Sequence, residues 1–153
     1  MTLRNATMLV LAVFSVVFAL GPGTATASSP SDAQVVSGPT AKYYGYLTPV
    51  VVIQKGQGIT YTNIDIERHN VTQDVNTDGV HGSSKRKWCK LFPAGKCPVF
   101  YSGLIGLGQS ESVQGLRYVK PGQIYTFYCT LHPGMKGHLV VAPAGTTFGP
   151  AVH

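Results

Sequence analysis

After residue 27 the chain shows strand texture almost without a break, and no stretch has helical periodicity. "KYYGYL" (42–47), "PVVVIQ" (49–54) and "ITYTNID" (59–65) are β-branched and aromatic runs, each stopped by Gly, Pro or a turn such as "KGQG". The texture returns at "VFYSGL" (99–104), "SESVQGL" (110–116), "QIYTFYCT" (123–130) and "GHLVVAP" (137–143). Runs this short cannot bury a face alone. About seven of them, separated by turns, predict an all-β antiparallel sandwich or barrel. Residues 76–98 break the pattern with "NTDGVHGSSKRKWCKLFPAGKCP", a polar, basic, turn-rich segment that predicts a long loop.

At 153 residues the chain has room for one core and not for two. Its first 27 residues read as a secretory signal peptide. Met8 to Leu20 is a run of 13 residues, apolar except for Ser15, followed by the break Gly21-Pro22-Gly23 and the small-residue pattern Ala25-Thr26-Ala27. A membrane anchor is the alternative, but the run falls short of the roughly 20 residues needed to span a bilayer. No twin-Arg pair precedes the run and no Cys follows it. General secretion without a lipid anchor is therefore expected, placing the protein in the periplasm or outside the cell. Residues 28–40, rich in Ser, Pro, Gly and Ala, predict a flexible leader, residues 41–145 the folded domain and residues 146–153 a tail.

Without the signal segment, 11 Lys and Arg face six Asp and Glu, a net charge of +5 with His neutral. That balance favours acidic partners, while no base-reading motif points to nucleic acid. No sequence feature supports membrane association, and a monomer is expected. No Ser-His-Asp set and no carboxylate pair stands out, so enzymatic catalysis is not expected.

All three Cys lie in the exported part, where disulfides persist. Cys89 and Cys97 flank Pro93-Ala94-Gly95, and a chain reversal there can pair them. The nine-residue loop so closed would contribute about 2.5 kcal/mol in the loop-entropy model. A metal site built on these two cysteines is the rival reading, with no nearby His or Cys to complete it. The third, Cys129, then stands alone in "FYCTLHPGMKGHLVV" (127–141), three positions before His132 and six before Met135. Alternation places Tyr125, Phe127 and Cys129 on one face of their strand and Ile124, Thr126 and Tyr128 on the other. A thiolate, an imidazole and a thioether on one turn are three of the four ligands of a blue-copper centre, and the fourth is a second His. His69, at a strand end after "ITYTNIDIER", is the best placed; His81 lies in a Gly-Ser loop, His138 on the outgoing strand and His153 at the last position.

In "HNV" (69–71), "SG" (102–103), "PGQIYTFYCTLHPGMKGHLVV" (121–141) and the ligand order His, Cys, His, Met, the chain resembles the small blue copper proteins of the plastocyanin/azurin family, the cupredoxins. The likeness runs from Lys42 to Ala142, with the short Cys-x2-His-x2-Met loop of amicyanin-like members. It implies a Greek-key β-sandwich of about seven to eight strands holding one type 1 copper at one end. His69, Cys129 and His132 would be the equatorial ligands and Met135 the long axial one. Asn70 would tie the two ligand loops together, its backbone N–H directed at the Cys sulfur. Electrons would leave by the edge of His132, with Pro133 and Gly134 giving a close-approach surface.

Two departures stand out. Many relatives carry Pro two places after the Cys; Leu131 here keeps an N–H that can reach the sulfur. The insert also gathers Lys85, Arg86, Lys87, Lys90 and Lys96 around Trp88, either a solvated loop or a docking patch for an acidic redox partner. The function expected is one-electron transfer by Cu(I)/Cu(II) cycling. A copper carrier or reservoir would use the same ligands, and zinc suits two His and one Cys, though not the Met.

Overall fold

The computed structural model describes residues 32–146. The expected signal peptide and all of the tail except Thr146 lie outside them. Among the described residues, seven strands form two sheets. One has the order β1 (Ala33–Ser37), β3 (Ile59–Asn63), β5 (Gln109–Ser112). The other has the order β2 (Val50–Ile53), β7 (His132–Val141), β6 (Ile124–Cys129), β4 (Thr72–Gln73). Alternating burial along β3 and β7 turns Tyr61, Leu139 and Val141 inward, where they meet Val35, Ile53, Val119 and Phe127 in one core. This is the expected β-sandwich.

It is not purely antiparallel. β1 pairs parallel with β3, and β2 pairs parallel with β7. The first follows from the path: β2 lies in the opposite sheet, so the chain reverses twice before β3 and returns in the direction of β1.

Two further expectations give way. The leader expected over 28–40 contains β1, whose Val35 and Ser37 are fully buried. Ser37 is satisfied inside the fold, since its hydroxyl bonds Tyr61 Oη and Asn63 Oδ1, each at 2.8 Å. "KYYGYL" is not a strand: Ala41–Tyr44 forms one helical turn, α1, whose first N–H is taken by Asp65 Oδ2 at 2.9 Å. "HNVTQDV" crosses to the other sheet as β4 and then closes a second helical turn, α2 (Val75–Asp78). The long loop is present, with a 3-10 turn at Lys87–Leu91 and the Cys89–Cys97 disulfide. Among the described residues no helix is long and apolar enough to cross a membrane.

Candidate metal centre

β6 and β7 form a hairpin whose mouth carries the motif. Cys129 lies opposite His132 and Tyr128 opposite Lys136, so Pro133, Gly134 and Met135 have no counterpart on β6. The extra residues bow outward and return at Met135, which is fully buried on the same inward row as Leu139 and Val141. His69 comes from the other sheet's exit. Its N–H donates to the Ile105 carbonyl at 3.2 Å, and its own carbonyl accepts from the Ile105 N–H at 3.0 Å. Such pairing on both sides leaves the backbone little freedom.

His69 Nδ1 and His132 Nδ1 each lie 3.7 Å from Cys129 Sγ, and 3.2 Å from one another. Metal bonds of about 2.0 Å to nitrogen and 2.3 Å to sulfur, spread at about 120°, would set these separations near 3.7 and 3.5 Å. One ion therefore fits between the three atoms. His81 and His138 are exposed and take no part in this cluster. His153 lies outside the described residues.

The far edge of each ring is also held. His69 Nε2 is 3.1 Å from Asp65 Oδ2, and His132 Nε2 is 3.1 Å from Glu67 Oε2. Glu67 Oε1 in turn accepts from Lys42 Nζ. Burial works against ionising Asp65, but the Ala41 N–H, the His69 ring and the N–H groups of Glu67 and Ile66 outweigh it and hold the carboxyl below its usual range. Glu67 is held below its range first by the Lys42 ammonium, which is itself shifted up by the pairing. A carboxylate cannot donate, so each Nε2 must, and in a neutral ring the Nδ1 lone pair then faces Cys129. Two such acceptors 3.2 Å apart, one on the buried His69 and one on the part-buried His132, are suited to a cation between them.

The chain matches the copper binding proteins of the plastocyanin/azurin family over residues 33–142. It belongs to that family. The family and the His/Cys/His donor set together make the cofactor of this cupredoxin a single copper ion. Among solved structures, a purple cupredoxin from Nitrosopumilus maritimus is 19% identical, with 72% of this chain and 100% of that chain covered and a TM-score of 0.49. A reduced amicyanin variant is 22% identical, over 75% of this chain and 86% of that one, with a TM-score of 0.48. The comparison with curated proteins returned no match.

Asn70 Oδ1 accepts from Thr130 N–H at 2.8 Å and from Thr130 Oγ1 at 3.2 Å, joining the loop that carries His69 to the one that carries Cys129 and His132. Its carbonyl accepts from Tyr46 Oη. Burial pushes the Tyr46 phenol far up, and the nearby Cys129 adds to the shift. At the surface, the His132 side chain is 21% exposed, and Pro133, Gly134 and Leu131 are exposed beside it.

The basic insert lies elsewhere. Trp88 packs at Gly115, two residues beyond Val113, whose N–H bonds the Ile59 carbonyl at the start of β3. The centre lies past the other end of that strand, about 13 Å further on at about 3.3 Å per residue. Arg86 serves the fold: it donates to the carbonyls of Pro98 and Val99 at 3.3 and 2.8 Å and stacks on Tyr118 at 3.8 Å. Lys96 reaches Asn76 Oδ1 at 2.9 Å. Lys85, Lys87 and Lys90 remain exposed.

Asp65, Glu67 and Lys42 were not among the residues singled out from sequence. A signal existed: two of only six acidic residues stand at alternate positions just before His69, in "DIERH".

Proposed function

We propose that this cupredoxin is a one-electron carrier with His69, Cys129 and His132 as equatorial ligands and Met135 as the axial one. Copper bound there supplies the Cu(I)/Cu(II) couple. The observation that carries the reading is that Cys129, His69 and Met135 are sealed in the core while His132 reaches the surface. An electron can cross a ring edge. A metal ion handed to another protein needs its ligands reachable, so the same burial counts against a copper carrier or reservoir. The backbone pairing of His69 and the Asn70 clasp hold the ligands in one geometry, which keeps reorganisation small in either oxidation state.

The protein works after export, with redox proteins as partners and no catalysis of its own. The apolar segment Met8–Leu20 and the Cys89–Cys97 disulfide, a bond that persists in oxidising compartments, support that location. The exposed Lys85, Lys87 and Lys90 favour an acidic partner.

A visible spectrum of the Cu(II)-loaded protein tests the site. An intense thiolate-to-copper band is expected that bleaches with ascorbate, returns on reoxidation and is missing from Cys129→Ser. A pale tetragonal spectrum would remove Cys129 from the ligand set and with it the electron carrier.

A further inference from the structure

The loop between β3 and His69 is built to present two carboxylates. Asn63 organises it: Oδ1 accepts the Asp65 N–H at 2.9 Å, while Nδ2 donates to the Glu67 carbonyl at 2.7 Å and the Ile105 carbonyl at 3.0 Å. Asp65 Oδ2 is fixed further by the Ala41 N–H at 2.9 Å, and Glu67 by Lys42 from α1. Three segments distant in sequence converge to aim one carboxylate at each histidine.

We propose that Asp65 and Glu67 are positioning residues that lock His69 and His132 in the Nε2–H tautomer, so that both Nδ1 lone pairs face Cys129 before copper arrives. The inference rests on the copper site proposed above. The lock has something to oppose. With the Nδ1 atoms 3.2 Å apart, a ring free to choose would place its proton on Nδ1 and bond the other ring or the Cys129 sulfur. The site would then close on itself, and copper would have to displace that hydrogen bond. The carboxylates remove this alternative by making the opposite nitrogen the donor.

They also add negative charge behind the rings. A carboxylate accepting the distal N–H makes imidazole a stronger donor, and that favours Cu(II) over Cu(I). Glu67 is the better one to vary, because it is half-exposed whereas Asp65 is buried.

Long-range nitrogen–proton NMR of the metal-free protein reads which nitrogen of each ring carries a proton directly. In the wild type both rings are expected as Nε2–H. In Glu67→Ala the Nδ1–H form of His132 should become populated, while Glu67→Gln, which keeps a single acceptor oxygen for Lys42 and His132 to share, should give an intermediate population. In copper-loaded protein, Glu67→Ala should bind Cu(II) about tenfold more weakly. If Cu(I) affinity is unchanged, that corresponds to a potential about 59 mV higher. Glu67→Gln should lie between. Wild-type His132 with its proton on Nδ1 would overturn the proposal, whatever the variants do. So would a Glu67→Ala protein with a normal thiolate band, the wild-type tautomer and the wild-type potential, and the copper site would survive that result. A wild type with no thiolate band would instead sink the copper reading and this proposal with it.

Discussion

At the scale of single residues, the charge on Cys129 has few places to go. The side chain is fully buried, with the two imidazoles beside it and Tyr46 nearby. Burial pushes up the phenols of Tyr46 and Tyr61, and the nearby Cys129 adds to the shift of each. A backbone N–H directed at the sulfur would therefore matter more here than in water. Leu131 sits in the two-residue turn between Cys129 and His132, where proline would delete such a donor. A hydrogen bond to sulfur weakens its donation to copper, which destabilises Cu(II) more than Cu(I). Leu131→Pro is accordingly expected to lower the reduction potential, read by voltammetry on protein whose thiolate band confirms an intact site. Potentials equal within error would mean that no N–H of Leu131 acts on the sulfur.

At the scale of elements, α2 locks the short β4 against β6, and Asp74 is its hinge pin. The Asp74 carboxylate caps the turn, accepting from Asn76 and Thr77 N–H at 3.1 and 3.3 Å, and also meets Lys136 Nζ on β7 at 3.2 Å. Burial opposes its ionisation, but the Thr77 hydroxyl, the Lys136 ammonium and the Thr77 N–H outweigh it, so the group is held below its usual range. A depressed carboxyl adds stability above its unfolded value of about 3.9 and loses it as pH falls through the lower folded value. Asp74→Ala should therefore cost about 1 kcal/mol at pH 7. Urea titrations should show the gap between wild type and variant closing below about pH 4. A gap that stayed constant would mean the charge contributes nothing. The same scale separates what could be read from sequence from what could not. β3, β6 and β7 are written in local alternation, and Cys129, His132 and Met135 in local spacing, so both were legible. β1 was not, because its partner is β3 and its buried Ser37 looks like a loop residue until Tyr61 and Asn63 satisfy it. α1 was not, because the acceptor that caps it, Asp65, lies 24 positions away. Asp65 and Glu67 fell outside the site for a related reason: their roles depend on rings brought in by other segments.

At the scale of the whole molecule, charge and chemistry occupy different regions. His132 opens to solvent beside Glu67 and Lys42, whereas the exposed Lys85, Lys87 and Lys90 flank Trp88, which packs at Gly115 toward the far end of β3. A separation of about 13 Å along the strand exceeds the Debye length of about 8 Å at physiological ionic strength and falls within the 30 Å found at 0.01 M salt. With the electron's exit at His132 as proposed, the insert would steer approach from a distance in dilute salt and act weakly on the crossing itself in physiological salt. Reversing all three lysines to Glu takes the chain beyond residue 27 from a net +5 to −1, since each reversal changes the charge by two. With ferricyanide, a small anion needing no docking footprint, oxidation of the reduced wild type should be several-fold faster at 0.01 M than at 0.15 M salt. The triple variant should lose most of that dependence, and the two proteins should react at similar rates at 0.15 M. A protein partner that docks on the insert would behave otherwise, because contact replaces long-range attraction and the variant would then stay slow at 0.15 M. Running both reactions side by side separates general attraction of anions from a specific footprint. A large rate gap with ferricyanide at 0.15 M would show instead that these lysines lie closer to the electron's exit than the β3 register places them.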